Sequence, residues 1–272
     1  MKYSMLKKVI LFITILLGTY WLLTVIYSNI SEKTLREYEK LPTDSSWNFQ
    51  TISLKSNENN KLTAWKISGS SADSSAPVLL YLHGSGGNVS HYLSKYNLLR
   101  QISSFVFALD YRGYGESEGV TDPAGIVEDS KTMINYLINE EKIRAENIIL
   151  YGHHMGVYPA LTLAEEFQVR GVVIEGGFTS VRELLEGVYS MIPEDQIRSR
   201  DMDNLILLEN LNLPLLFIHS RENEVVPFSH GEKLYSVANA PKDLLALDHG
   251  DDESTLTANW SQIKPVLQGF AR

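Results

Sequence analysis

The chain contains no cysteine, which excludes disulfides, thiolate nucleophiles and thiolate-held zinc. Basic residues are also scarce: 24 against 33 acidic ones across 272 positions give a formal net charge of −9. Acids are missing from the first 28 residues, where Lys2, Lys7 and Lys8 stand alone, so everything after carries 21 basic against 33 acidic side chains. A surface that acidic is poorly suited to a phosphate backbone or to docking on anionic lipid. No nucleic-acid partner is expected, and no internal repeat is visible.

Charge is absent altogether from Val9 to Tyr27, an almost unbroken apolar run. As a helix at ~1.5 Å per residue it spans about 28 Å, close to the hydrocarbon thickness of a bilayer. No small-x-small cleavage site follows it; Tyr27-Ser28-Asn29-Ile30 is a poor one. Residues 1–28 are therefore expected to remain as an N-terminal transmembrane anchor, a signal-anchor rather than a cleaved signal peptide. Basic residues on its two sides lean slightly towards an inside N-terminus, with the domain periplasmic, luminal or extracellular. Residues 29–46 are expected to form a stalk, helical from Ser31 to about Tyr38 and ended by Leu41-Pro42.

Residues 47–272 read as one domain. Phe49–Leu54 and Leu62–Ile67 alternate apolar and polar around Asn57-Glu58-Asn59-Asn60, the pattern of an antiparallel hairpin with one wet face. From Pro77 the pattern changes to short, continuously apolar runs: Val78–Leu82, Phe105–Leu109, Ile148–Tyr151, Gly171–Ile174, Leu215–Ile218 and Leu244–Leu247. Helical spacing separates them at Ala124–Asn139, Met155–Phe167, Phe228–Val237 and Ser254–Phe270. Strands buried on both faces look like this, so an α/β fold with a mostly parallel sheet and helices on both faces is expected. Residues 181–212 interrupt the alternation and are expected to form a small cap.

The segment most informative about chemistry is Ile148-Ile149-Leu150-Tyr151-Gly152-His153-His154-Met155-Gly156. It carries a buried strand into a helix through Gly-x-His-x-Gly, the frame of a nucleophile elbow with its flanking glycines. Upstream, His83-Gly84-Ser85-Gly86-Gly87-Asn88 follows the first long buried strand. A glycine-rich turn there can offer the Ser85 N–H, together with that of Met155, to a developing oxyanion. Arg112, in Asp110-Tyr111-Arg112-Gly113-Tyr114-Gly115, reads as an architectural ion pair. His91 and His230, at helix starts, read as solvated.

In order along the chain, these motifs resemble the α/β-hydrolase superfamily, and within it the membrane-anchored, Bem46-like serine hydrolases. The resemblance continues through Glu175-Gly176-Gly177-Phe178-Thr179-Ser180, Phe217-Ile218-His219 with Val226-Pro227, and Asp248-His249-Gly250-Asp251. It implies an elbow of Gly-His-Ser-Met-Gly, in which His154 replaces the nucleophilic serine. It also implies an acid a few residues before Val-Pro, a slot that falls on Asn223, with Glu222 and Glu224 one residue to either side. It places the base at His249, and it implies structural roles for His83 and Glu175.

Imidazole at position 154 cannot form a stable acyl ester as serine does, and an amide at 223 cannot balance an imidazolium by charge. A serine triad needs all three parts. The expectation is a pseudoenzyme that binds a small acyl, ester or peptide-like ligand. Its rivals are an active esterase, thioesterase or peptidase using non-standard groups, and a membrane-associated scaffold with a filled pocket. No cofactor is implied. A metal held by His154 and His249 with Asp251 or Asp252 lacks a recognisable ligand spacing, so none is expected.

Overall fold

The computed structural model describes residues 35–39, 48–70, 75–185, 202–239, 241–251 and 253–271. The apolar run at 9–27 and half of the expected cap, residues 186–201, lie outside them. Among the described residues no helix is long and apolar enough to cross a membrane.

Eight strands form one sheet: β1 (Phe49–Lys55), β2 (Lys61–Ser68), β3 (Val78–Leu82), β4 (Phe105–Asp110), β5 (Ile148–His153), β6 (Gly171–Glu175), β7 (Leu215–Ser220) and β8 (Lys242–Leu247). Their spatial order is β1-β2-β4-β3-β5-β6-β7-β8. The β1–β2 and β2–β4 pairs are antiparallel and the remaining neighbours parallel. The hairpin and every apolar run are thus strands, most of them extending one or two residues beyond the run.

In chain order the helices are α1 (Leu93–Leu99), α2 (Pro123–Asn139), α3 (Val157–Glu166), α4 (Val181–Leu185), α5 (Asn204–Asn210), α6 (Phe228–Val237), α7 (Thr255–Ala258) and α8 (Trp260–Phe270). They cover both faces of the sheet. One core holds Leu80, Leu82, Leu150 and Ile174 against α2, α3, α5 and α6; the other holds Leu79, Tyr81, Ile149, Tyr151 and Val173 against α1, α7 and α8. Alternation along each strand sends consecutive side chains to opposite cores, which is why these strands are apolar throughout. Helix α2 shows how local signals set a boundary. Asp122 accepts from the Gly125 N–H at 2.9 Å, and Pro123 occupies the first turn, where its missing N–H has no cost.

Three features differ from the sequence pattern. Residues 154–156 form a 3-10 turn ahead of α3, so the helix begins at Val157 rather than Met155. Helix α1 has no apolar stripe that would announce it, because one of its three buried residues is Lys95. Among the described residues of the expected stalk, Leu35 and Arg36 are helical and Glu37–Glu39 are not.

Candidate functional site

The strand β5–α3 connection has the backbone of an elbow. His154 has φ of 50°, the left-handed region that a side chain with a Cβ normally avoids, at a cost of roughly 1–2 kcal/mol. Packing imposes it. A Cβ on Gly156 would fall 1.9 Å from the Leu82 carbonyl oxygen, and one on Gly152 2.7 Å from Val157 Cα. The helix start is therefore pressed directly onto the end of β3, and only glycine permits that approach. His154 rides this turn 8 % exposed, its ring edge-on to Phe178 at 5.5 Å.

The glycine-rich turn after β3 lies beside it. A Cβ on Gly84 would stand 3.2 Å from His154 Cβ, and one on Gly86 3.1 Å from Glu253 Oε1. The turn thus touches the elbow on one side and the loop after β8 on the other. Ser85 is exposed on it, and Met155, 8 % exposed, is the middle residue of the 3-10 turn. At its start the turn is pinned by His83, fully buried, whose Nδ1 lies 2.7 Å from the Gly84 carbonyl oxygen. Tyr111 donates its hydroxyl to the His83 carbonyl at 3.2 Å. Burial pushes the His83 imidazole down to about 4, so it is neutral near pH 7; Nδ1 then donates to Gly84 and Nε2 faces Asp110 Oδ1 at 3.8 Å.

The other two expected site residues sit on loops at the same edge of the sheet, after β7 and β8. Asn223 is buried, and its Oδ1 accepts from the N–H groups of Val225 at 3.0 Å and Val226 at 2.8 Å. The amide closes its own loop. His249 is three-quarters exposed, and the carboxylate facing its Nδ1 is Glu222, 3.6 Å away. Of the two glutamates flanking the acid slot, Glu222 is the one at the imidazole. Residues 221–225 with Gly250 and Asp251 line an open groove of about 890 Å³. Among the described residues no three histidines or carboxylates gather as a metal site.

Beneath the elbow, on the α1 side of the sheet, lies a polar floor. Lys95 pairs with Glu175 at 3.1 Å, both side chains 2 % exposed or less, and Tyr151 donates to the other Glu175 oxygen at 2.9 Å. His153 lies edge-on to Tyr92 at 5.6 Å. Glu175 is thus structural as read, but its lysine partner had no signal in the sequence. Arg112 forms the expected ion pair, bidentate to Asp129 at 3.0 and 2.8 Å, with Glu58 on its remaining arm. The expectation of solvated histidines fails at two positions. His91 Nδ1 accepts from the Asn88 N–H at 3.2 Å, and His230 Nδ1 stands 2.8 Å from the Thr179 hydroxyl.

Comparison with known proteins agrees with this architecture. Residues 73–198 match the family model described as serine aminopeptidase, S33. Protein bem46 of Schizosaccharomyces pombe is 27 % identical, covering 80 % of this chain and 75 % of its own. The membrane protein YNL320W of Saccharomyces cerevisiae is 26 % identical, with 86 % of each chain covered. The lysophosphatidylserine lipase ABHD12 of Danio rerio is 31 % identical over 64 % of this chain and 50 % of its own. Among solved structures, an esterase from Pyrococcus furiosus superimposes with a TM-score of 0.70 at 20 % identity, covering 86 % and 94 % of the two chains. The chain thus has the α/β-hydrolase fold and resembles proteins of that superfamily along most of its length.

Proposed function

We propose that this protein is a non-catalytic binding member of its superfamily, taking an acyl, ester or peptide-like ligand at the C-terminal edge of the sheet. The observation that carries this reading is His154. It occupies the left-handed turn of the elbow where a serine hydroxyl would have to stand, and its ring fills part of that space. Losing the nucleophile of a serine triad removes on the order of 10⁶ in rate. Asn223 supports the same reading, since its carbonyl serves the Val225 and Val226 amides and it brings no charge to His249. The esterase and lipase among the similar proteins point to acyl or ester chemistry in the ligand. Residues 9–27 are proposed as the membrane anchor, on the strength of their uncharged apolar length and the membrane protein among the relatives.

The competing reading, an active hydrolase, has one observation in its favour: Glu222 faces His249 and could orient it as a base. That pair still lacks a hydroxyl to deprotonate. Fluorophosphonate labelling and p-nitrophenyl butyrate hydrolysis separate the two. The wild-type protein is expected to show neither above free imidazole, whereas His154→Ser gains both. Asn223→Asp, added to His154→Ser, should raise hydrolysis further, because an aspartate can keep the two loop amides and still offer an oxygen to His249. The corresponding acid-to-amide change in trypsin costs ~10⁴ in kcat. Ordinary enzymatic turnover by wild type, abolished in His249→Ala, would overturn the proposal.

A further inference from the structure

Residues 35–39, which lead from the apolar run towards the domain, do not stand clear of it. The Leu35 carbonyl accepts from Asn88 Nδ2 at 3.1 Å and from the Gly115 N–H at 2.9 Å. The Glu37 carbonyl accepts from the same Asn88 amide at 2.9 Å, and the Glu39 N–H donates to Ser90 Oγ at 2.7 Å. Arg36 reaches the Ser117 carbonyl at 3.3 Å. Tyr38 stacks on Trp65, centroids 5.8 Å apart, and donates its hydroxyl to Asp110 Oδ2 at 2.6 Å. All five residues are tied down by hydrogen bonds to the domain.

What they are tied to matters more than how many ties there are. Asn88 and Asp110, both with no exposed surface, each hold the strap with one arm and the end of the glycine-rich turn with the other. Asn88 Oδ1 accepts from the Ser90 N–H at 3.0 Å and its hydroxyl at 2.6 Å. Asp110 Oδ1 accepts from the Val89 N–H at 2.8 Å. The turn is therefore a span, fixed at its start by His83 and Tyr111 and at its end by Asn88 and Asp110. The contact is built in: a Cβ on Gly115, which has φ of 50°, would lie 2.1 Å from Asp110 Oδ2 and 2.8 Å from the Tyr38 hydroxyl. A carboxyl oxygen in that buried position needs a hydrogen-bond partner, and the partner comes from outside the folded domain's own elements.

We propose that Tyr38 is a positioning residue, and that the 35–39 strap holds the 84–88 turn in its ligand-receiving shape through Asp110 and Asn88. Site geometry is thereby coupled to the segment that joins the domain to residues 9–27. The functional importance of the turn rests on the proposed binding reading; the mechanical coupling does not.

The test uses the full chain in detergent micelles. Tyr38→Phe keeps the ring on Trp65 and removes only the hydroxyl, so the fold is retained. Amide hydrogen exchange across residues 84–89 should accelerate by about tenfold or more, while peptides from β5 and β6 stay unchanged. Tyr136→Phe, which deletes a hydroxyl bonded to Glu141 away from the turn, should leave 84–89 as in wild type. In a His154→Ser background, Tyr38→Phe should lower kcat for p-nitrophenyl butyrate several-fold with KM nearly unchanged, since a misaligned turn loses transition-state contacts more than ground-state ones. Unchanged exchange at 84–89, or acceleration spread evenly over the protein, overturns the coupling. Exchange needs no ligand. An inert His154→Ser with the localised acceleration intact counts against the binding site and leaves the strap standing.

Discussion

The elbow floor and the acid–base rim sit at the same edge of one sheet and obey different physics. In the floor, His153, His154 and Glu175 are at most 8 % exposed, and neighbouring backbone leaves no room for a Cβ at Gly152 or Gly156. On the rim, His249 and Glu222 are 75 % and 61 % exposed, and their loops bend to satisfy local hydrogen bonds such as those of Asn223. The difference teaches how packing can fix a backbone turn independently of the side chain it carries. The left-handed turn at 154 is enforced by packing between β3 and α3, so it persists whichever side chain it carries. The expected acid and base positions depend on two loops with little packing to fix their relation, and there the carboxylate facing His249 is Glu222, one residue from the expected slot.

If burial is what separates the two regions, the largest effect of a single substitution should come from the floor. Lys95→Met leaves Glu175 charged, buried and paired only with a tyrosine hydroxyl. Breaking one side of a buried pair costs about 3–5 kcal/mol, measurable as a fall in the midpoint of urea unfolding. Lys95→Met with Glu175→Gln should recover most of it, because no buried charge remains. Slightly smaller is Gly156→Ala, whose methyl meets the Leu82 carbonyl; about 3 kcal/mol is expected, with no rescue from side-chain rearrangement since the obstacle is backbone.

A third test is pH dependence, again a property of the buried side. Burial pushes Asp110 up to about 7, against the lowering effect of the Tyr38 and Val89 donors, with Glu116 adding to the rise; burial pushes the facing His83 down to about 4. The signs oppose. Asp110 binds a proton in the native state that the unfolded chain has lost, so its contribution is complete below about 4 and disappears as pH rises through 7. His83 refuses a proton that the unfolded chain takes, so its contribution grows from about pH 4 to the ordinary imidazole value of 6.5. Over that shared window the two offset. Asp110→Asn removes the falling limb alone, and the stability of the variant relative to wild type should climb by a few kcal/mol between pH 4 and 7 in urea melts.

The same contrast decides what the sequence could reveal. Strands β3 to β7 were legible because both their faces are buried, β1 of the hairpin because one of its faces is wet, and the elbow because close packing writes itself as glycine at fixed spacing. Helix α1 was not legible: Lys95 reads as a solvent residue, and only the distant Glu175 makes its burial tolerable. Counting back from Val226-Pro227 puts the expected acid slot at Asn223, whereas the carboxylate that faces His249 is Glu222. Loop geometry one residue either way is not encoded by any period. The docking of Tyr38 was hidden for a related reason, since a polar segment between an apolar run and a domain carries no pattern that names its partners.

The smallest effect is expected on the rim itself, and it tests whether the Glu222–His249 contact has consequences at all. Two exposed side chains 3.6 Å apart are screened by water and salt, and such pairs contribute about 0–1 kcal/mol. Glu222→Gln should therefore change unfolding stability by less than about 0.5 kcal/mol, within the range of ordinary surface substitutions. Its effect on chemistry, once a hydroxyl is supplied, is a separate matter. In the His154→Ser background, Glu222→Gln should lower ester hydrolysis if Glu222 orients the His249 ring. With His154→Ser and Asn223→Asp together, the same change should matter less, because the restored aspartate takes over that role. The three-way comparison of p-nitrophenyl butyrate rates reads this directly. Equal losses in both backgrounds would mean that Glu222 acts only through the charge of the rim, and that the contact with His249 has no orienting function.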